Sequence, residues 1–573
     1  MNAFYNDAIR FIYVTIKVKW TVSTDLLRNA RYNKGTAFTK DERSKFGLTS
    51  RLPPVVETLE QQLQRSYDQY KRLGDSLQKH VYLSDVFDTN QTLFYALVTR
   101  HLPEMYPIIY TPTESQAIKQ YSKIYRYPNG CYLDIEHNDP EYMKEQFAEF
   151  GKPGDIQYIV ITDSEGILGI GDQGIGGILI SVAKGHLMTL CSGLDPNRFL
   201  PIVLDVGTNN KDHREDPKYL GLRKDRVHGE EYGRFLENVI HSVKETFPNA
   251  FIHFEDFGRS DAKPVLDRYS PKLPCFNDDI QGTGVVTLAA IFSAIRLTKS
   301  KLNEQKFVIV GAGTAGVGIA DRIVSSMVKE GITREEARDK IYLLDKQGLI
   351  LDKHADRATE GQKPYLKKGS VFADQSSSDE VDLETTVSTV HPTALIGVSG
   401  QAGIFSENIV REMSKHTKQP IIFPLSNPTD LMEAKPSDLN EWTDGKGLIA
   451  SGSPVPPVKR NGKDYYISQC NNAFIYPSVG VAAVLSECKT LTEEMLSSAA
   501  DGLASTPRSL FKSDDSLLPD LTNVREVSRH VKFAILKQAL AENNCADYVP
   551  REDEALKKWI KQTEWNAEYA EYE

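Results

Sequence analysis

Two pairs of neighbouring carboxylates close short apolar runs. Glu255-Asp256 follow NAFIHF (249–254), and Asp278-Asp279 end the run that begins LPCFN (273–277). Both runs read as β-strands, and an open parallel sheet binds ligands at the carboxyl ends of its strands. Donors that are all oxygen, without His or Cys, suit Mg²⁺ or Mn²⁺ rather than Zn²⁺. Such an ion can hold a hydroxy acid through two oxygens and polarise its carbonyl. Neighbours on an extended chain face opposite ways, so Asp278 and Asp279 are expected to serve two partners. The competing reading is solvated strand ends or salt-bridge partners, and two pairs at matching edges weigh for a metal.

Other candidates are weaker when read alone. Lys184, in GGILISVAKGH, follows a glycine cluster by one to three helical turns. A lysine in apolar text can act as a base, or simply pack. Tyr110, in MYPIIYTPT, can donate a phenolic proton or serve as a core tyrosine. Asn427, in Ser426-Asn427-Pro428, and the pair Asn471-Asn472 sit where amides orient carboxylates or cap turns. The twelve histidines form no HxH or HExxH cluster.

GAGTAG (311–316) fits GxGxxG. The apolar run FVIV leads into it, and the helix-like GVGIADRIVSSMV follows. Gly311 permits the tight turn, Gly313 lets the backbone approach a pyrophosphate, and Gly316 allows close helix–strand packing. The next strand, KIYLLD, ends in Asp345, placed to accept from a ribose hydroxyl. The intervening KEGITREEARD reads as a helical insertion. A second match, GIGDQG (169–174), is separated from its strand by an extra turn, so its glycines read as a cofactor loop or as a close approach to substrate. No GxxxxGK[ST] occurs, so P-loop phosphoryl transfer has no support.

These residues need a frame. The chain has 573 residues, 40% hydrophobic and 25% charged, with net charge −10. That balance excludes a dedicated nucleic-acid binder, whose phosphate contacts need clustered cations. The longest apolar run, VVTLAAIFSAI (285–295), is too short to span a bilayer, so no membrane partner is expected. The six cysteines show no CxxC spacing and read as reduced intracellular thiols. Text up to Gly130 is helical in pattern. Beyond it, strands alternate with helices in two series: QYIVIT, FLPIVLD, NAFIHF and LPCFND, then FVIVGAG, KIYLLD, ALIGVSG, PIIFPLSNP and KGLIASGSP. The alternation predicts βαβ units and parallel sheets. The first residues carry Arg10, Lys17 and Lys19 against Asp7, a bias faintly like a transit peptide, but their run FIYVTIKVKWTV is β-branched.

In order along the chain, RYNKGTAFT (31–39), LPPVVET (52–58), MYPIIYTPT, ILGIGDQGIGG (167–177), LPIVLDVGTNN (200–210), HFEDF (253–257), FNDDIQGTG (276–284), GAGTAGVGIA, PLSNPT (424–429) and ASGSP (450–454) resemble the malic enzyme family. The fungal NAD-dependent members are the nearest in kind. The resemblance implies oxidative decarboxylation of L-malate to pyruvate and CO₂, with reduction of NAD and a Mg²⁺ or Mn²⁺ ion. It implies that Glu255, Asp256 and Asp279 bind the metal. Lys184 would be the base, with Asp278 beside it, and Tyr110 the acid toward enolpyruvate. Asn427 and Asn472 would contact substrate, and Asn471 the nicotinamide.

The fold it implies is α/β: a Rossmann-type dinucleotide domain, a second parallel α/β domain and a helical N-terminal region. The boundaries expected are an N-terminal extension (1–27), a helical domain (28–130), a substrate and metal domain (131–277 and 468–540), an NAD-binding Rossmann domain (278–467) and a C-terminal tail (541–573). The assembly implied is a homotetramer built as a dimer of dimers. The compartment expected is cytoplasmic, with the mitochondrial matrix as alternative.

Two departures stand out. Where many members carry a substrate-binding Arg in DGERILG, this chain has DSEGILG, with Gly166 at that place. Malolactic enzymes share this, so release of lactate with NAD kept bound stands as the alternative reaction. Fumarate activation in some members needs two arginines. Arg65 matches one and Thr89 replaces the other. Gln362 stands where NADP-using members place a Lys, and with Asp345 it points to NAD.

Overall fold

The computed structural model of the chain describes residues 23–167, 169–372 and 380–572. Most of the N-terminal extension, with its basic run, lies outside the described residues. The chain forms two compact units. One gathers Met1–Glu165, Asp172–Ile252 and Ala546–Glu573, the other Gly166–Gly171 and His253–Cys545.

The first unit opens with short helices whose starts are fixed by capping side chains. Thr58 and Gln61 form a capping box for Leu59–Lys71. Asp75 caps Ser76–Thr89, and Asn90 caps Gln91–Arg100. Each satisfies an amide that the helix itself leaves without a partner. Parallel strands follow: β1 (Cys131–Asp134), β2 (Tyr158–Thr162), β3 (Phe199–Asp205) and the start of β4 (Phe251–Phe254). β3 lies between β1 and β2, with Cys131 opposite Ile202 and Tyr158 opposite Phe199. β2 is buried along its whole length, and β3 is buried beyond Phe199, as parallel strands covered on both faces are. The helix Ile178–Ser192 is buried on nearly every side and stops at Gly193, whose φ of 77° ends it.

The chain's last stretch belongs to this unit. After the helix Asp553–Gln562, the Trp565 N–H donates to the Gly193 carbonyl at 2.9 Å. Tyr569 donates to Gln62 and accepts from Asn90, and Tyr572 donates to the Tyr32 carbonyl.

The chain enters the second unit within β4, and β5 (Cys275–Asn277) follows in that unit. A seven-stranded sheet then forms from β6 (Phe307–Val310), β7 (Ile341–Asp345), β8 (Gly348–Leu349), β9 (Ala394–Gly397), β10 (Ile421–Pro424), β11 (Leu448–Ser451) and, after the hairpin β12 (Val458–Arg460) and β13 (Lys463–Tyr465), β14 (Ser468–Gln469). Its order is β14-β11-β10-β9-β6-β7-β8. Only β8 runs antiparallel to its neighbour. From β6 the chain winds one way to β7 and then the other way from β9. The reversal leaves a crevice between β6 and β9, the switch point where doubly wound sheets bind ligands.

The α/β architecture read from sequence is the one present, and all nine strand runs contain strands. Two local readings need correction. β1 was not anticipated. Asp278 and Asp279 are not extended: they open a π-helical turn, Asp278–Gly282, that leads into the helix Thr283–Thr298. Two helical stretches, Gly174–Ser192 and Asp278–Thr298, are apolar and long enough to cross a membrane by length and composition alone, although no single apolar run in the sequence is. Here they are core helices, 89% and 78% buried by the protein itself.

Candidate active site

β4 delivers Glu255 and Asp256 to its carboxyl end, and β5 delivers Asp278 and Asp279 to its own. Asp256 takes φ 52°, a left-handed conformation that Asp tolerates better than most residues. Its N–H donates to Asp279 Oδ2 at 2.9 Å, and its carbonyl accepts from the Gly166 N–H at 2.9 Å. Glu255, Asp256 and Asp279 each bring one oxygen within 4.8 Å of the others. Glu255 and Asp256 are buried. Carboxylates this close repel one another in a buried setting, and a hard divalent cation relieves the repulsion. The donor set therefore fits Mg²⁺ or Mn²⁺. His253, fully buried between the Phe276 and Tyr476 rings, lies 2.7 Å from Glu255 Oε2 through Nε2. Asp278 is also fully buried and groups with His253 and Glu255.

In the first unit, Lys184 projects from the middle of Ile178–Ser192, and Tyr110 ends the helix Leu102–Ile109. The structure brings them together: Lys184 Nζ lies 5.8 Å from the Tyr110 ring centroid. Lys184 is buried. Behind them a cavity of about 20 Å³, room for one water, is lined by Ile109, Ala183, His80, Glu114 and His186. Burial pushes the Glu114 carboxyl well above its usual range and pulls the His80 imidazole down, so this pair 3.5 Å apart favours its neutral forms.

The glycine fingerprint of the second unit is built as the sequence suggested. Gly311 has φ 111°, and a Cβ there would lie 2.5 Å from the Val398 carbonyl oxygen. A Cβ on Gly316 would strike the Gly311 carbonyl oxygen. Gly313 faces open space, the side from which a pyrophosphate can approach. Asp345 ends β7, and Gln362 ties it to the loop: its amide donates to the Ala312 carbonyl at 2.8 Å and to Asp345 Oδ2 at 3.2 Å.

Of the amides, Asn427 accepts from Ser453. Asn472 donates to Thr283 Oγ1 at 3.1 Å and to the Asp278 carbonyl at 3.4 Å, which joins it to the carboxylate cluster. Asn471 caps the turn at Ala473.

Two further residues emerge only in the structure. Glu433 is fully buried and accepts from the Ser399 N–H and from the hydroxyls of Ser399 and Ser426, fixing the loop before Asn427. In the first unit, Arg226 clamps Asp172 through two nitrogens and also donates to the Asp163 carbonyl. Burial alone would raise the Asp172 carboxyl, but the Arg226 bonds and charge hold it below its ordinary value. Asp172, inside GIGDQG, is the residue this clamp holds. Gly166, noted in the sequence where many members carry Arg, donates its N–H to the Asp256 carbonyl.

Residues 87–270 match the family model described as malic enzyme, N-terminal domain, and residues 280–540 match malic enzyme, NAD binding domain. The NAD-dependent malic enzyme of Schizosaccharomyces pombe is 62% identical over 545 residues, covering 95% of this chain and 96% of that protein. The chain belongs to the malic enzyme family. Another member, the mitochondrial NAD-dependent malic enzyme of Saccharomyces cerevisiae, is 44% identical over 96% of this chain and 83% of that protein. The crystal structure of Entamoeba histolytica malic enzyme shares the fold of this family member, with a TM-score of 0.55 at 19% identity over 91% of this chain and 92% of that one.

Proposed function

We propose that the chain oxidatively decarboxylates L-malate to pyruvate and CO₂, with NAD as hydride acceptor and Mn²⁺ or Mg²⁺ as essential ion. One observation carries the reading: a largely buried cluster of three metal-competent carboxylates shares a unit with a dinucleotide fingerprint whose ribose acid is tethered by Gln362. When bound, the nicotinamide supplies a hydride acceptor and the ion supplies a Lewis acid for the C2 oxygen.

Glu255, Asp256 and Asp279 would hold the ion. Lys184 takes the proton of the C2 hydroxyl, and Tyr110 returns a proton to C3 of the enolpyruvate left by CO₂ loss. Asp278 supports the base. Asn427 and Asn472 orient the substrate by hydrogen bonding, and Asn471 serves the nicotinamide. Gly311, Gly313 and Gly316 cradle the pyrophosphate, and Asp345 accepts from the ribose. Gln362 supports NAD over NADP, because it brings no positive charge to a 2′-phosphate.

The deciding experiment follows NADH in purified protein with L-malate, Mn²⁺ and NAD, and NADPH in a parallel NADP sample. NADH and pyruvate in equal amounts support the proposal. Faster reduction of NADP overturns the cofactor choice alone. Malate loss without reduced cofactor sinks the reaction. A homotetramer, the assembly implied by the family resemblance, is tested by sedimentation of the same preparation. A matrix location draws support from the name of the Saccharomyces relative, and imaging of the tagged full-length chain tests it against a cytoplasmic one.

A further inference from the structure

Two histidines far apart in sequence meet at the surface of the second unit. The His391 and His416 rings stack with centroids 3.7 Å apart and planes inclined by 20°. Glu412 joins them from one helical turn before His416, with Oε1 3.2 Å from His416 Nε2. One ligand atom from each of the three residues lies within 4.8 Å of the other two. Lys415 bonds the other carboxylate oxygen of Glu412, Oε2, at 2.6 Å. Oε1 is the oxygen on the histidine side.

The backbone around these side chains favours a cation. His416 is the last residue of the helix Glu407–His416, and His391 caps the C-terminus of Leu383–Val390 at φ 50°. Two helix C-termini therefore converge on the cluster, each with partial negative charge on its last carbonyls. Lys306 Nζ already donates to the Val390 carbonyl at 3.1 Å, so one of these ends draws a positive charge as it stands. The Thr417 hydroxyl donates to the Pro392 carbonyl at 3.3 Å and ties the two ends together.

We propose that His391, Glu412 and His416 form a second metal site, for Zn²⁺, which shares no residue with the carboxylate cluster. Two imidazoles and one carboxylate suit Zn²⁺, whereas Mg²⁺ and Mn²⁺ prefer oxygen donors alone. Three protein ligands leave a fourth position open to water. Stacked rings aim their lone pairs along nearly parallel planes, so one ring must turn out of the stack to bind. Both histidines are exposed, which leaves room for that turn. The bound ion would staple the loop before β9 to the end of the helix that follows it.

The test titrates Zn²⁺ into full-length protein by calorimetry, with Mg²⁺ in excess to fill the oxygen-rich centre. Wild type is compared with His391→Gln and His416→Gln. Loss of a group that merely orients a metal ligand costs about tenfold or more in affinity, so loss of a ligand should cost at least that. Each variant should therefore weaken Zn²⁺ binding by about tenfold or more, while its Mn²⁺ affinity stays at the wild-type value. Zn²⁺ should raise the melting temperature of wild type more than that of either variant, because an ion held by the folded state stabilises it. Wild-type Zn²⁺ affinity in both variants overturns the proposal. A parallel loss of Mn²⁺ binding overturns it as well, because the substitutions would then be acting through the carboxylate centre.

Discussion

Lys184 Nζ stands 5.8 Å from the centre of the Tyr110 ring, near the outer reach of a cation–π contact. The proposed base and acid are therefore neighbours, one on a buried helix and the other at the end of a second helix. Rigid supports of this kind hold reacting groups better than loops do.

Lys184→Ala is expected to lower kcat by about 10²–10⁴-fold, the usual worth of a general acid or base. Mn²⁺ and NAD binding should stay intact. Tyr110→Phe should show a comparable loss, and the double variant should lose less than the product of the two, because the groups act on one proton inventory. Steady-state rates beside binding titrations check this. Full activity in Lys184→Ala would remove the base assignment.

His253 lies 2.7 Å from Glu255 inside the protein. His253→Ala should weaken Mn²⁺ binding by about 10–100-fold, as loss of a group that orients a metal ligand does. His253→Gln, which keeps a donor, should recover part of it. Mn²⁺ titration of both variants is the measurement, and equal affinities in all three proteins would show that His253 only packs.

Gln362→Lys places an ammonium beside Asp345. A hydrogen bond to a charged group is worth about 1.5–3 kcal/mol, so the ratio of kcat/KM for NADP over NAD should rise about 10–100-fold. An unchanged ratio would mean that Gln362 does not face the 2′ position.

Asp88 sits half-buried with Asn129 donating to it at 2.7 Å. Burial raises its carboxyl to about 6; the Asn129 bond opposes this and Asp85 adds to it. The native state thus holds the proton more tightly than the unfolded chain. Stability is greatest below the ordinary carboxyl pKa and falls as pH rises toward 6. Asp88→Asn keeps the acceptor for Asn129 and removes the buried charge. Its melting temperature should exceed wild type by roughly 1–3 °C at pH 7.5 and match it at pH 4. Identical midpoints at both pH values would contradict this.

Much of the frame is legible in the sequence, because strands buried on both faces must be continuous apolar runs. The fingerprint glycines are legible for a related reason: only glycine accepts the φ of 111° at Gly311 or the contact at Gly316. β1 escaped notice because its four residues alternate between buried and half-buried, and CYLD shows no apolar run. The turn at Asp278 escaped because NDDIQG has neither period. Arg226 and Glu433 are silent in sequence for a deeper reason. Each acts through partners far along the chain, and no local pattern encodes a contact of that range.

The returning tail has a consequence for how this protein is made. Tyr569 and Tyr572 bond to Gln62, Asn90 and Tyr32, which are synthesised before any residue of the second unit. The first unit is therefore completed only after residues 546–572 are made, by which point Gly166–Gly171 and His253–Cys545 have been synthesised. Nascent chains stalled before residue 546 should expose the early helices to chaperones, and the order of completion runs opposite to the order of synthesis.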